Sequence, residues 1–210
     1  MAKLNESMIL QALDWGYEKA VNGLGVFPTA EELANEYLAA NDNDPRRAAE
    51  SLVRWQIAKA ATSGFLTGIG GMITLPVAIP ANISSVIYIQ LRMIAAIAKM
   101  GGYDLKSDQV KSLVYVSMAG SAGADILKNV GIRLGEKITT ETIKKIGIEV
   151  IKKINSAVGF RLMTKFGSTG IVNFGKMIPL VGGVIGGTFD AGTTKTIGTI
   201  AIKTFLGKED

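Results

Sequence analysis

The sequence predicts an all-α protein: a single compact helical domain around a buried, Gly-rich, Pro-broken apolar helical hairpin. Three observations predict it. Apolar residues recur at helical spacing in one segment after another. Helix-starting and helix-stopping residues bracket those segments. The 32 residues from Ala60 to Leu91, between Lys59 and Arg92, carry no charge.

The first element spans residues 4–22, with Asn5 placed as an N-cap and Ile9, Leu10, Leu13 and Tyr17 at helical spacing. Gly23 and Gly25 end it. Thr29 and Glu32 form a capping box before a second, short helix. The polar patch Asn41-Asp42-Asn43-Asp44 has oxygen ligands of the kind calcium takes. An EF-hand loop counted from Asn41 would need glycine at its sixth place and glutamate at its twelfth, where Arg46 and Leu52 stand. Asp44-Pro45 is better read as the N-cap and first residue of a third helix, which carries Leu52, Trp55 and Ile57 into the uncharged run.

That run is longer than the about 20 residues a bilayer span requires. Pro76 and Pro80 divide it, each lacking a backbone donor and disfavouring helix in the residue before. The 16 residues from Ala60 to Leu75 reach about 24 Å as a helix, short of a hydrocarbon core of ~30 Å. A buried helical hairpin is the better reading, and membrane insertion the alternative. Ala60, Gly64 and Gly68 recur every four residues and, with Gly71, offer a stripe on which another backbone can pack closely.

Ile83, Ile87, Leu91, Ile94 and Ala98 continue a helix from Ala81 to a Gly101-Gly102 stop. Ser107-Asp108 opens the next, with Val110, Leu113, Val114, Ala124 and Leu127 apolar and a small-residue seam at Ala119, Gly120, Gly123 and Ala124. Thr140 to Met163 reads as one amphipathic helix. Ile143, Ile146, Gly147, Val150, Ile151, Ile154 and Val158 share a face, with Lys144, Lys145, Lys152 and Lys153 opposite. The apolar face is expected to cover the hairpin, and the lysines to be either a solvated face or contacts for an anionic surface. A last apolar stretch follows Pro179 and the glycines Gly182, Gly183, Gly186 and Gly187.

Composition bounds the chemistry. Charged residues are 20% and hydrophobic residues 48% of 210, with a mean hydropathy of +0.29. That is fewer charges than the ~25% of an average soluble chain. The absence of cysteine and histidine excludes disulfides, thiol nucleophiles, Ser-His-Asp triads and the usual metal ligands. The glycine runs lack the Gly-Lys-Ser/Thr of a P-loop. No cofactor or metal is expected. Residues 1–58 carry 5 basic and 9 acidic groups, whereas residues 128–210 carry 13 and 6. The basic C-terminal third alternates with Ile and Val, which favours lipid or a partner helix over nucleic acid. Polar and acidic groups occupy the place of a signal-peptide apolar segment, so a cytoplasmic protein, or one peripheral on the cytoplasmic face of the membrane, is expected.

Several motifs carry a family resemblance. They are Gly64-x-x-x-Gly68-x-Gly70-Gly71 before a proline break, Gln90-x-Arg92-x-x-Ala95-x-Ile97-Ala98-x-x-Gly101 followed by Tyr103-Asp104, and Ile178-Pro179-x-x-Gly182-Gly183 with Gly186-Gly187. Together they resemble the EcsC protein family over roughly residues 50–206. The family is bacterial, is named for a protein encoded beside an ABC transporter, and has no firmly assigned activity. The resemblance implies residues 45–210 as an EcsC-like helical domain, with acidic N-terminal helices in residues 1–44 packed on or appended to it.

Charges set in apolar helices are the candidate site: Arg92, Asp125, Asp190 and Lys195, with Gln90 beside Arg92. They would form either a polar pocket for a lipid headgroup or an ion pair, Arg92 with Asp190 or Asp125, that fixes helix register. No nucleophile with a positioned base accompanies them. The expected function is therefore a non-enzymatic, membrane- or lipid-associated interaction protein, an accessory to a membrane transporter being one form of it. The alternative is a pore-forming effector that keeps its hairpin buried until triggered. Expected partners are anionic membrane lipid or a membrane protein.

Overall fold

The structure, a computed structural model, describes residues 4–60, 81–132, 138–174 and 191–208, with side chains left out at 60, 81–82 and 167–174. Polar caps set most of the helix starts. The Asn5 side chain accepts from the Met8 amide at 2.9 Å and opens α1 (Glu6–Asn22), which ends on Gly23 at φ 92°. Thr29 and Glu32 satisfy each other's amides in the expected capping box, at 3.1 and 2.7 Å, and open α2 (Ala30–Ala39). Asp44 accepts from the Arg46 and Arg47 amides at 2.9 and 3.0 Å ahead of α3 (Pro45–Ala60). The polar patch is thereby spent on ending one helix and starting another.

α4 (Ala81–Met100) begins one residue after Pro80, as the proline predicts. Its end is a glycine cap. Gly102 takes φ 85°, the Tyr103 amide reaches back to the Ala98 carbonyl at 3.2 Å, and the Gly102 amide to that of Lys99 at 2.9 Å. The remaining elements are α5 (Asp108–Met118), α6 (Ser121–Asn129), α7 (Thr140–Lys144), α8 (Ile148–Phe174) and α9 (Ala191–Phe205). Among the described residues these nine helices are the only regular elements.

Two expected helices are each two. The segment from Ser107 to Leu127 turns a corner at Gly120, whose φ of 62° interrupts the helical bonding. The small residues fill that corner: a Cβ on Gly123 would run into the Val116 carbonyl. The segment from Thr140 breaks between Lys145 and Gly147, where Gly has low helix propensity, and the chain restarts at Ile148.

Every residue from Ser84 to Ala98 is buried, because α4 has neighbours on all sides: α1, α2, α3, α5 and α9. It is also the one helix among the described residues that is long and apolar enough to cross a membrane, and 89% of that window is covered by the rest of the protein. Each fully buried Ile or Leu in it contributes roughly 1.5–3 kcal/mol. Gly16 lets α1 approach: a Cβ there would lie 3.0 Å from Leu91 Cδ1 and 3.3 Å from Ile87 Cγ2. Gly198 does the same for α9 against Val53 of α3. The close-packing glycines expected in the central run and near Pro179, namely Gly64, Gly68, Gly71, Gly182, Gly183, Gly186 and Gly187, lie outside the described residues.

α8 buries Ile151, Ile154, Val158 and Leu162, so its apolar face is covered as expected. Among the described residues the face lies on α1, α5 and α6, and residues 61–80 of the central run lie outside the described residues. Polar ties close the periphery. Arg46 Nη2 donates to the Gly207 carbonyl at 2.9 Å beyond the end of α9, and Lys99 pairs with Glu31 at 2.8 Å between α4 and α2.

Candidate functional site

Gln90 and Arg92 are two residues apart on α4, which turns them about 200° from each other. They therefore serve different neighbours. The Gln90 amide donates to Thr194 Oγ1 of α9 at 2.9 Å, and both residues are buried. Among the described residues its Oε1 has no hydrogen-bond partner.

Arg92 points the other way, and only 3% of it is exposed. Its guanidinium carbon lies 5.3 Å from the Phe27 ring centroid and 5.6 Å from that of Tyr88. Phe27 comes from the turn between α1 and α2; Tyr88 sits one turn earlier on α4. Phe27 and Trp15 both pack on Tyr88, with centroids 6.1 and 6.4 Å away, and with Ala20 and Ile89 they make a cluster separate from the main core. Among the described residues no carboxylate comes within ion-pair distance of Arg92. Among the described residues Arg92 Nε and Nη1 have no acceptor, and Tyr88 Oη has no well-formed hydrogen bond beyond its approach to Arg92. Burial pushes the Tyr88 hydroxyl above its ordinary pKa, while the Arg92 charge pulls it down. Tyr37 of α2 is raised by burial and by Glu36, and Arg92 again opposes the rise.

The balance at Arg92 is uneven. Cation–π contacts contribute ~0.5–1 kcal/mol each, rising to about 2 when desolvated. Burying an ion costs several kcal/mol after relaxation. The two ring faces offset part of that cost.

The other expected members are dispersed. Asp125 is exposed on α6, because the corner at Gly120 turns it away from the face that a continuous helix would have given it. Arg92 and Asp125 form no ion pair. Lys195 is exposed on α9, next to the buried Thr194, and Asp190 lies outside the described residues. Sequence reasoning missed Phe27, Tyr88 and Thr194. Tyr88 and Arg92 at i, i+4 inside an apolar helix were the signal available for the first contact. Thr194 had none, since its partner is 104 residues away.

Lys144, Lys145, Lys152 and Lys153 are all exposed. Lys152 lies 3.9 Å from Glu149, both of them well solvated, an arrangement of little energetic weight. Along the exposed side of α8 Ile148 is 59% and Phe160 57% exposed, twelve residues apart, and Arg161 is exposed beside Phe160. The sequence reading did not single out these two apolar residues.

A third polar group ties α1 to α5. Asp14 Oδ1 accepts from Lys111 Nζ at 2.6 Å and from the Tyr115 hydroxyl at 2.7 Å. Burial, then Asp14, holds the Tyr115 hydroxyl far above its ordinary pKa. No group of three carboxylates able to hold a metal occurs among the described residues.

The fold and these groups define a helical protein organised on one buried helix, with an arginine-centred aromatic cluster on one side and a basic face on another. The model of the EcsC protein family matches residues 29–206, and the chain belongs to that family. The match takes in α2 as well as the region in which the motifs lie. No curated protein and no solved structure matches the chain.

Proposed function

We propose that the protein is a non-enzymatic interaction protein that docks on anionic membrane through the outer face of α7 and α8. The observation that carries this reading is two exposed apolar side chains, Ile148 and Phe160, on a segment whose exposed Lys144, Lys145, Lys152, Lys153 and Arg161 outnumber its exposed Glu141 and Glu149. Basic residues near an anionic leaflet contribute about 1 kcal/mol each, and inserting a Phe side chain adds roughly 2. The four lysines and Phe160 together reach about 6 kcal/mol, a dissociation constant on the order of tens of micromolar. That is reversible, salt-sensitive docking. The burial of α4 supports docking of the folded protein over insertion of that helix.

The test is co-sedimentation with vesicles of phosphatidylcholine, with and without about one third phosphatidylglycerol. Binding is expected only with the anionic lipid, and to be lost on raising salt to about 0.5 M. The combined Lys144→Glu, Lys145→Glu, Lys152→Glu and Lys153→Glu variant should not bind, and Phe160→Ala should bind about tenfold more weakly. Equal binding to neutral vesicles, or full binding by the charge-reversed variant, would refute the reading. Dye release from the anionic vesicles would turn the assignment toward the pore-forming alternative, in which the run from Ala60 inserts.

A further inference from the structure

The guanidinium of Arg92 is buried, has no carboxylate within reach among the described residues, and leaves Nε and Nη1 without acceptors. The Tyr88 hydroxyl, on the same face of α4 one turn away, has the Arg92 guanidinium as its polar neighbour and no well-formed hydrogen bond among the described residues. The guanidinium can only donate, whereas the tyrosine hydroxyl can accept one bond from it and still donate another. What they lack is an acceptor-rich anion. A carboxylate offers two oxygens, whereas a phosphate monoester offers three, matching the surplus of donors and neutralising the charge.

The cover over this group is one short turn. Phe27 lies on the guanidinium from the turn Leu24 to Phe27, which is closed by a Phe27 amide to Leu24 carbonyl bond of 3.1 Å. Gly23 and Gly25 stand at φ 92° and 59° before and within it, and Val26 at its tip is 85% exposed. Swinging this turn away uncovers one face of Arg92 without disturbing α4.

We propose that Arg92 and Tyr88 form a binding site for a phosphate group, admitted by displacement of the Leu24–Phe27 turn. The site is independent of the basic face of α8, and docking there stands or falls separately. The phosphate belongs either to a soluble metabolite or to a lipid headgroup.

Thermal unfolding midpoints of the full chain decide the matter, measured in chloride buffer and at matched ionic strength with inorganic phosphate, glycerol 3-phosphate or dihexanoyl phosphatidic acid below its micelle concentration. The wild-type midpoint is expected to rise saturably by several degrees with a phosphate compound. Response to the soluble compounds identifies a free phosphate ligand; response to the short-chain lipid alone identifies a headgroup. Arg92→Met should be at least as stable as the wild type in chloride, since it removes an unpaired buried charge, and should show no phosphate response. Tyr88→Phe keeps the ring and should shift the response to about tenfold higher concentration. A wild-type midpoint indifferent to all three compounds, or a response equally strong in Arg92→Met, overturns the proposal.

Discussion

At Gly198 the absence of a side chain decides a helix contact. A Cβ there would lie 2.6 and 2.7 Å from the two γ-carbons of Val53, and a β-branched neighbour has little freedom to turn aside. Overpacking of this kind costs typically 1–3 kcal/mol, against a helix-propensity gain of up to about 1 for replacing Gly. Gly198→Ala should therefore destabilise by about 1–2 kcal/mol in denaturant unfolding. The same change made in a Val53→Ala background should cost much less, because the clashing carbons are gone. Equal costs in the two backgrounds would show that α3 and α9 are not in this contact.

At the scale of elements, the corners matter more than the helices. Gly120 joins α5 to α6 at φ 62° and ψ −134°, and a Cβ there would meet only ordinary contacts, Thr196 Cγ2 at 3.7 Å and Ile197 Cγ1 at 4.0 Å. The cost of Gly120→Ala is then conformational, about 1–3 kcal/mol, with no crowding to relieve. Reading the midpoint of this variant beside Gly123→Ala, which meets the Val116 backbone, separates strain from collision. The helix starts were legible in the sequence because caps are local: Asn5, Thr29 with Glu32, Asp44 with Pro45, and Ser107 each act within three residues. The internal breaks were not. A periodic apolar pattern survives a corner when the residues on either side still face the core, as Ile143, Ile146 and Ile151 do across the break before α8. Candidate charges were misplaced for the same reason. Asp125 sits in an apolar pattern only if the helix through Gly120 is straight. Arg92, on an uninterrupted helix, is buried as its neighbours imply, but its ring partner Phe27 could be found only in three dimensions.

For the molecule as a whole, the titration behaviour follows from which groups are absent and which are buried. The chain has no histidine, so no side chain of ordinary pKa titrates between about pH 5 and 8. Stability should be nearly flat there. On the alkaline side Tyr17, Tyr37, Tyr88, Tyr103 and Tyr115 are all raised above the ordinary phenol pKa, in each case chiefly by burial. A phenol whose pKa is higher in the folded state stabilises that state fully below its unfolded pKa. The stability is lost as pH climbs from the unfolded value toward the folded one, because only the unfolded chain releases the proton. Loss should begin near pH 10 and steepen by about 1.4 kcal/mol per pH unit for each such tyrosine. Tyr17 lends itself to the test, since its hydroxyl donates to the Leu105 carbonyl at 2.7 Å and its ring packs edge-on to Tyr115. Tyr17→Phe forfeits that bond, about 1 kcal/mol at neutral pH. It also removes one phenol from the alkaline release, so the variant's deficit should shrink and then reverse as pH rises above 10. Unfolding free energies measured at pH 7, 10 and 11 check it: a deficit that stays constant across the three would mean that the Tyr17 phenol ionises as readily in the folded protein as in the unfolded chain.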